Sequence, residues 1–343
     1  MKVCIYKGAE KIVKKSGVGR AMEHQRAILR KVGVEVGDHI DRETDIVHIN
    51  TVFPGSLFAA IYAKALGKKV LYYGHSTMED FRCSFKGSNL FAPFFRFWIK
   101  VCYNRGDLIL TPSDYSRKLL ESYGMKRPIF TMSNGIDTEK YRPNPEGRRR
   151  FREKYHLTEE KKVILSVGHY IERKGIIDFV ELAKAMPEIQ FIWFGYTDPR
   201  LIPRKIQDVI ANAPENVLFP GYVPPEDLQL AYQGCDLFCF MSHEETEGIV
   251  VLEALASGIP VLLRDIPVYD GWLKNGEEVY KADMLDEFKY LAYAILDGQL
   301  PDLTSQGRQV AVDRSFDNMA LRMKELYKSY GQGQLLVERR AHS

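Results

Sequence analysis

Two glutamates, Glu245 and Glu253, stand eight positions apart within residues 244–263, EETEGIVVLEALASGIPVLL. On a helix that spacing is slightly over two turns. Between them lie Gly248 and the apolar Ile249, Val250 and Val251; after Glu253 come Ala254, Leu255 and Ala256, closed by Ser257-Gly258. A glycine where a helix begins lets backbone N–H groups come close to a ligand, and the positive helix end favours an anion such as a phosphate. Glu253, about a turn inside, is repelled by that anion but accepts hydrogen bonds from neutral hydroxyls such as a ribose diol. Glu245, ahead of the glycine, can do the same for a second polyol. Solvated acids before a core helix would carry the same letters, but the apolar surroundings leave little reason for acids there.

Cations gather in a second run, Gly168-His169-Tyr170-Ile171-Glu172-Arg173-Lys174-Gly175. It follows a strand-like segment and precedes a helical one, and cations beside a glycine at such a junction suit a diphosphate clamp. A charged helix start reads the same way. Gly74-His75-Ser76-Thr77 also ends a strand-like run. His75 is there either a hydrogen-bond donor in a cleft or a loop histidine capping the next segment. Residues 86–105, KGSNLFAPFFRFWIKVCYNR, contain Lys86, Arg96, Lys100 and Arg105 and no acid. Phe91, Phe94, Phe95, Trp98 and Cys102 fall on one helical face, with Phe97 off it. Aromatic residues rimmed by bases suit an interfacial membrane helix; a core helix packed on a sheet is the competing reading.

The elements that must position these groups alternate. Strands are expected at residues 2–6, 46–50, 69–73, 108–111, 129–132, 162–167, 190–194, 217–219, 237–240 and 259–263. Helical periodicity covers 21–32, 56–66, 114–123, 176–185, 285–296 and 316–330. Alternation of this kind predicts an α/β protein with parallel sheets, whose ligands sit at the carboxyl ends of the strands. Gly17-Val18-Gly19-Arg20 reads as a loop after the first strand, a weak half-match to a dinucleotide fingerprint. Residues 138–145, with two prolines and no periodicity, read as a linker. The division is therefore 1–145 and 146–314, with a returning helix at 315–330 and a tail from 332. A chain of 343 residues exceeds what one core ordinarily holds.

Hydrophobic content of 45% and charged content of 27% are those of a soluble globular chain. No run of 18 apolar residues predicts a spanning helix, and the N-terminus lacks a signal-peptide pattern. The five cysteines, Cys4, Cys83, Cys102, Cys235 and Cys239, have no metal-ligand spacing and read as reduced thiols. Residues 1–150 hold 27 Lys and Arg against 15 Asp and Glu, and the remainder 21 against 30. A basic half joined to an acidic half predicts a polyanionic partner for the first. Nucleic acid is disfavoured because no binding module or stacking platform is evident, which leaves an anionic membrane surface.

The Glu245–Glu253 run resembles the signature of the retaining glycosyltransferases of family 4, which have the GT-B fold of two doubly wound, Rossmann-like domains facing across a cleft. The resemblance implies that Glu245 contacts the donor sugar, Glu253 holds the nucleotide ribose, and Gly248, Ile249 and Val250 line the donor site. It implies a diphosphate clamp at Gly168, Lys174 and Gly175, with His169 where an arginine is usual and Arg173 as its replacement. It implies that His75 contacts the donor sugar, that Gly17 and Gly19 line the cleft, and that Tyr222 and Val223 border the base. Ser133-Asn134-Gly135-Ile136-Asp137 resembles the segment closing the family's first domain. Glu247 departs from the pattern, standing where an aromatic residue is common. SGVGR, HIN, GHST, the aromatic-basic helix and EGIVVLEALASG are closer still to the glycolipid synthases of low-GC Gram-positive bacteria that add a second hexose to monoglucosyl-diacylglycerol. The expectation is α-retaining transfer from a UDP-sugar to that lipid, without metal or cofactor, by a peripheral protein on the cytoplasmic face of the membrane. A non-lipid polysaccharide acceptor, or a non-catalytic partner subunit, stays open on the same fold.

Overall fold

The structure, a computed structural model, describes residues 1–8, 13–14, 16–82, 84 and 87–331. Lys86, Cys83 and the tail from residue 332 lie outside the described residues. Apolar runs too short for helices become strands covered on both faces. The first sheet comprises β1 (Lys2–Ile5), β2 (Glu35–Gly37), β3 (Ile46–Ile49), β4 (Lys69–Tyr73), β5 (Leu108–Thr111) and β6 (Ile129–Thr131), in the order β2-β1-β3-β4-β5-β6. The second comprises β7 (Val163–Val167), β8 (Gln190–Phe194), β9 (Val217–Gly221), β10 (Leu237–Phe240), β11 (Val261–Arg264) and β12 (Tyr280–Ala282), in the order β12-β11-β10-β7-β8-β9. Every neighbouring pair in both sheets is parallel. Every residue of β3, β5, β7 and β10 is buried, as two covered faces require.

In the first sheet α1 (Gly17–Lys31) covers one face, and α2 (Pro54–Ala65) and α4 (Ser88–Tyr103) the other; α3 (Met78–Phe81) precedes α4, and α5 (Asp114–Ser122) lies between β5 and β6. The second sheet carries α6 (Pro145–Lys154), α9 (Pro225–Gly234), α10 (Ile249–Ala256) and α12 (Thr304–Asp313) on one face. Its other face carries α7 (Ile176–Lys184), α8 (Arg204–Ala211) and α11 (Leu285–Leu296). The last helix, α13 (Phe316–Gly331), returns to the first sheet, where Phe316, Met319 and Met323 pack in one cluster with Met22, Ile28 and Leu29 of α1.

Two local expectations change. GVGR is not a loop: Ser16 accepts from the Gly19 N–H, and helix α1 starts at Gly17, so Arg20 projects from its first turn. The chain also changes domain earlier than residue 145. Ile136 and Tyr141 already pack in the second sheet's core, and Pro145 opens a helix capped by Asn144 rather than ending a linker. Ile136 bridges to Ser315, so the outward and returning crossings run side by side. Cys4, Cys102, Cys235 and Cys239 are buried and unpaired, and burial pushes the Cys4 thiol up to about 11.

Candidate functional site

Strand order reverses between β7 and β10, so the chain leaves those two strands in opposite directions and opens a crevice at their carboxyl ends. From β7 the chain runs through Gly168 and His169 into a single 3-10 turn, Glu172–Lys174, and then α7. From β10 it runs through Ser242 to Glu245 and on to α10. The Lys174 ammonium bonds the Glu245 carboxylate between these two exits, with both side chains largely withdrawn from solvent. Burial lowers the Lys174 pKa, and the Glu245 charge opposes that shift. Gly175 has φ +78°, and a Cβ there would stand 2.2 Å from the Met241 carbonyl oxygen. Only glycine fits behind the lysine, which accounts for the Lys-Gly pair.

Glu253 lies on α10, buried in the second domain. Its Oε1 accepts from the Tyr141 hydroxyl at 2.9 Å, and its Oε2 from the Tyr232 hydroxyl at 3.0 Å. Arg20 reaches Oε1 from the other domain, with Nη2 at 3.1 Å and Nε at 3.3 Å. Arg20, Tyr141 and Tyr232 had no place in the sequence reading; the arginine of GVGR was the one available signal. Gly248 caps α10 with φ +89°, a conformation that side chains resist, and Ile249 and Val250 follow half-buried in its first turn. Gly248 thus starts a helix, as the spacing predicted.

Several other groups occupy different settings from those expected. Arg173 is not a free cation beside Lys174. Its guanidinium pairs with Asp80 at 2.9 Å, donates to the Glu244 carbonyl at 2.6 Å and reaches Ser84 Oγ at 3.3 Å, so it ties the second domain to the first. His169 is half-buried, and its Nδ1 bonds the Tyr196 carbonyl at 2.6 Å; burial lowers its pKa. His75 is buried and stacked on Tyr73, and burial lowers its pKa to about 3, so the ring is neutral. Its Nε2 lies 3.0 Å from Asn50 Oδ1, which can only accept. Asn50 is itself held by a reciprocal pair of bonds with Gln25, at 2.7 and 2.9 Å.

Gly19 is buried against the Val13 carbonyl, whereas Gly17 is exposed with open space at its Cβ position. Gly168 lies against the Lys174 stem. Tyr222 is exposed and Val223 half-buried in the loop after β9. Glu247 is buried, and its Oε2 accepts from the Asn134 backbone at 3.1 Å and side chain at 2.6 Å; burial raises its pKa. The residue that departs from the family pattern is thus a bridge between domains. Neighbouring Glu244 accepts from Tyr115 of the first domain at 3.0 Å, and burial raises its carboxyl to about 7. Among the described residues, no group of three His, Cys, Asp or Glu side chains is arranged to hold a metal ion.

The aromatic helix divides its residues differently from the periodicity. Phe95, Trp98 and Cys102 of α4 pack toward the sheet, and Trp98 Nε1 donates to the Val52 carbonyl at 2.5 Å. Phe91, Phe94 and Phe97 are exposed together with Leu90. Phe97 belongs to the outer stripe, and the single face predicted from spacing is two faces. Arg96 stacks over Tyr123 at 4.6 Å and donates to the Ser122 carbonyl, while Lys100 is half-buried. Helix α2 covers the same sheet face and exposes Phe58, Ile61 and Tyr62, with Leu66 just beyond its end. Among the described residues, nine of the seventeen exposed large apolar side chains lie on or beside these two helices, which marks one apolar surface rather than scatter. No helix among the described residues is long and apolar enough to cross a membrane.

Known proteins resemble this chain in sequence and in fold. Residues 147–298 match the family model of the group 1 glycosyl transferases, and residues 16–140 that of glycosyltransferase family 4. The chain is 40% identical to the processive diacylglycerol alpha-glucosyltransferase of Acholeplasma laidlawii, over 96% of this chain and 98% of that protein. It is 27% identical to the alpha-galactosylglucosyldiacylglycerol synthase of Streptococcus pneumoniae, over 93% of this chain and 87% of that protein. Among solved structures, Anabaena HepE in complex with UDP and glucose shares the fold with a TM-score of 0.79 at 16% identity, over 96% of this chain and all of that one.

Proposed function

The chain belongs to glycosyltransferase family 4, with the GT-B fold, and from that premise we propose that it moves a hexose from a UDP-sugar to monoglucosyl-diacylglycerol with retention of the α-configuration. The observation that carries this reading is the meeting of Lys174 and Glu245 where the second sheet reverses, beside the start of α10. A donor lying there sets its diphosphate against the ammonium and the helix end, its sugar against Glu245, and its ribose toward Glu253. The A. laidlawii relative is by name a diacylglycerol glucosyltransferase and the S. pneumoniae relative a galactosylglucosyldiacylglycerol synthase, which supports a diacylglycerol-based acceptor. The higher identity to the glucosyltransferase favours glucose as the transferred sugar.

On this reading the acceptor hydroxyl attacks the anomeric carbon from the face that the diphosphate leaves. The carbon–oxygen bond to phosphate breaks as the new glycosidic bond forms, and the acceptor proton passes to the departing phosphate oxygen. Negative charge gathers on that leaving group in the transition state. A cation and a helix end aimed there stabilise it more than they stabilise the bound substrate, and that difference is what accelerates the step. Glu245 and Glu253 act as binding groups, and the chemistry needs no metal. The apolar surface of α2 and α4, in the basic half of the chain, seats on an anionic bilayer so that the lipid acceptor reaches the cleft without leaving the membrane.

The test is an assay of UDP release with UDP-glucose and UDP-galactose, using anionic vesicles with and without monoglucosyl-diacylglycerol. The expected outcome is acceptor-dependent release, faster with UDP-glucose, and an α-linked product. Release that the lipid does not change would overturn the acceptor assignment, and a β-linked product would overturn retention.

A further inference from the structure

We propose that Arg20 changes partner during turnover: it holds Glu253 in the free enzyme and passes to the donor's diphosphate when the ribose diol takes Glu253. This rests on the donor being a nucleoside diphosphate sugar. A carboxylate offers about four acceptor positions, two on each oxygen. On Oε1 they are filled by Tyr141 and by the two contacts from Arg20, whereas Oε2 carries only Tyr232. A vicinal diol presents two hydroxyl donors side by side, and one position remains. Arg20 is the donor able to leave. Tyr141 and Tyr232 are fixed in the core of the second domain, while Arg20 stands on the first turn of α1 in the other domain.

An arginine lifted from a buried carboxylate needs another anion, because a guanidinium withdrawn from water is costly to leave unpaired. Its remaining acidic neighbour, Glu23, is exposed and 3.4 Å away, a weak substitute. The diphosphate meets the need, and the planar guanidinium fork matches two phosphate oxygens. Among the described residues, the run 168–175 offers the diphosphate fewer free cations than its letters suggest. Position 169 carries a histidine whose ring is bound to a backbone carbonyl, and Arg173 is committed to Asp80. Of the cations described in the run 168–175, that leaves Lys174 to face a leaving group that bears more than one negative charge. Arg20 supplies the second positive charge from across the cleft, and ribose recognition at Glu253 becomes the event that releases it.

Calorimetric titration with uridine and with UDP tests the exchange, using the whole chain, Arg20→Ala and Arg20→Lys, with thermal melting to confirm that each variant is folded. Uridine reports the diol alone, and UDP adds the diphosphate. In Arg20→Ala, uridine is expected to bind as well as or better than in the parent, while UDP binds more weakly. The preference for UDP over uridine should fall by about tenfold or more. Arg20→Lys should keep part of that preference, because it keeps the charge without the fork. Equal loss of both ligands in Arg20→Ala, or an unchanged preference, would overturn the exchange while leaving the donor reading intact. A parent protein that binds neither ligand would overturn the donor reading, and the exchange with it.

Discussion

Lys174 carries two jobs that a single substitution separates. It neutralises buried Glu245, and on the proposed reading it takes up charge on the leaving diphosphate. Removing one partner of a buried pair costs about 3–5 kcal/mol of stability; losing one preorganised contact to the transition state costs about a hundredfold in rate. Lys174→Ala should therefore melt at a lower temperature yet stay folded, with turnover at least about tenfold lower at a temperature where circular dichroism matches the parent. Turnover equal to the parent would remove Lys174 from the chemistry. Glu245, Glu253 and Lys174 stood out in the sequence because charged residues beside glycines at helix starts interrupt otherwise apolar runs. Arg20 and Tyr141 were not, since they meet Glu253 from 233 and 112 positions away. No local pattern encodes such a meeting; it exists only once both sheets are closed. His75 shows the same limit: its position at a strand end was readable, but its ring partner is Asn50, on the neighbouring strand's exit.

At the scale of elements, periodicity located helix α4 and misjudged which residues it turns outward. Spacing identifies a face but does not say whether that face meets the sheet or the solvent, and a helix crowded with aromatics has apolar residues on both sides. The exposed stripe of α2 was invisible for the same reason, since the letters of Phe58, Ile61 and Tyr62 do not say which side of the helix meets solvent. The central strands were readable because both faces are covered and their apolar runs are unbroken. Edge strands β2 and β12, three residues each, carry too little pattern to stand out. If the surface of α2 and α4 seats on a bilayer, Phe58→Ser and Phe94→Ser, which are 69% and 65% exposed, should leave folding untouched. Each should weaken binding to anionic vesicles by about tenfold, as the loss of a buried aromatic side chain implies. Cosedimentation with vesicles reads this directly, and equal binding by the double variant would return both helices to a purely structural role.

For the whole molecule, the two domains meet through polar contacts spread along the cleft. Ser113 donates to the Thr246 carbonyl at 2.6 Å, Tyr115 to Glu244, Asn134 to Glu247, and Arg20 and Arg173 reach across from opposite sides. Such contacts are individually exchangeable, so relative domain motion is the expected behaviour. The paired crossings at Ile136 and Ser315 are where the chain would allow it. Alternating elements announced two parallel sheets, but the segments that close them against each other could not be read in advance, because their partners lie in the other half of the chain. What all of this depends on is that the nucleotide sits where β7 and β10 part. A crystal structure of the protein with UDP tests that placement most directly. The expected result is a diphosphate within hydrogen-bond distance of Lys174 and the first turn of α10, and a ribose on Glu253; UDP bound elsewhere, with Lys174 and Glu245 still paired and Glu253 untouched, would contradict it.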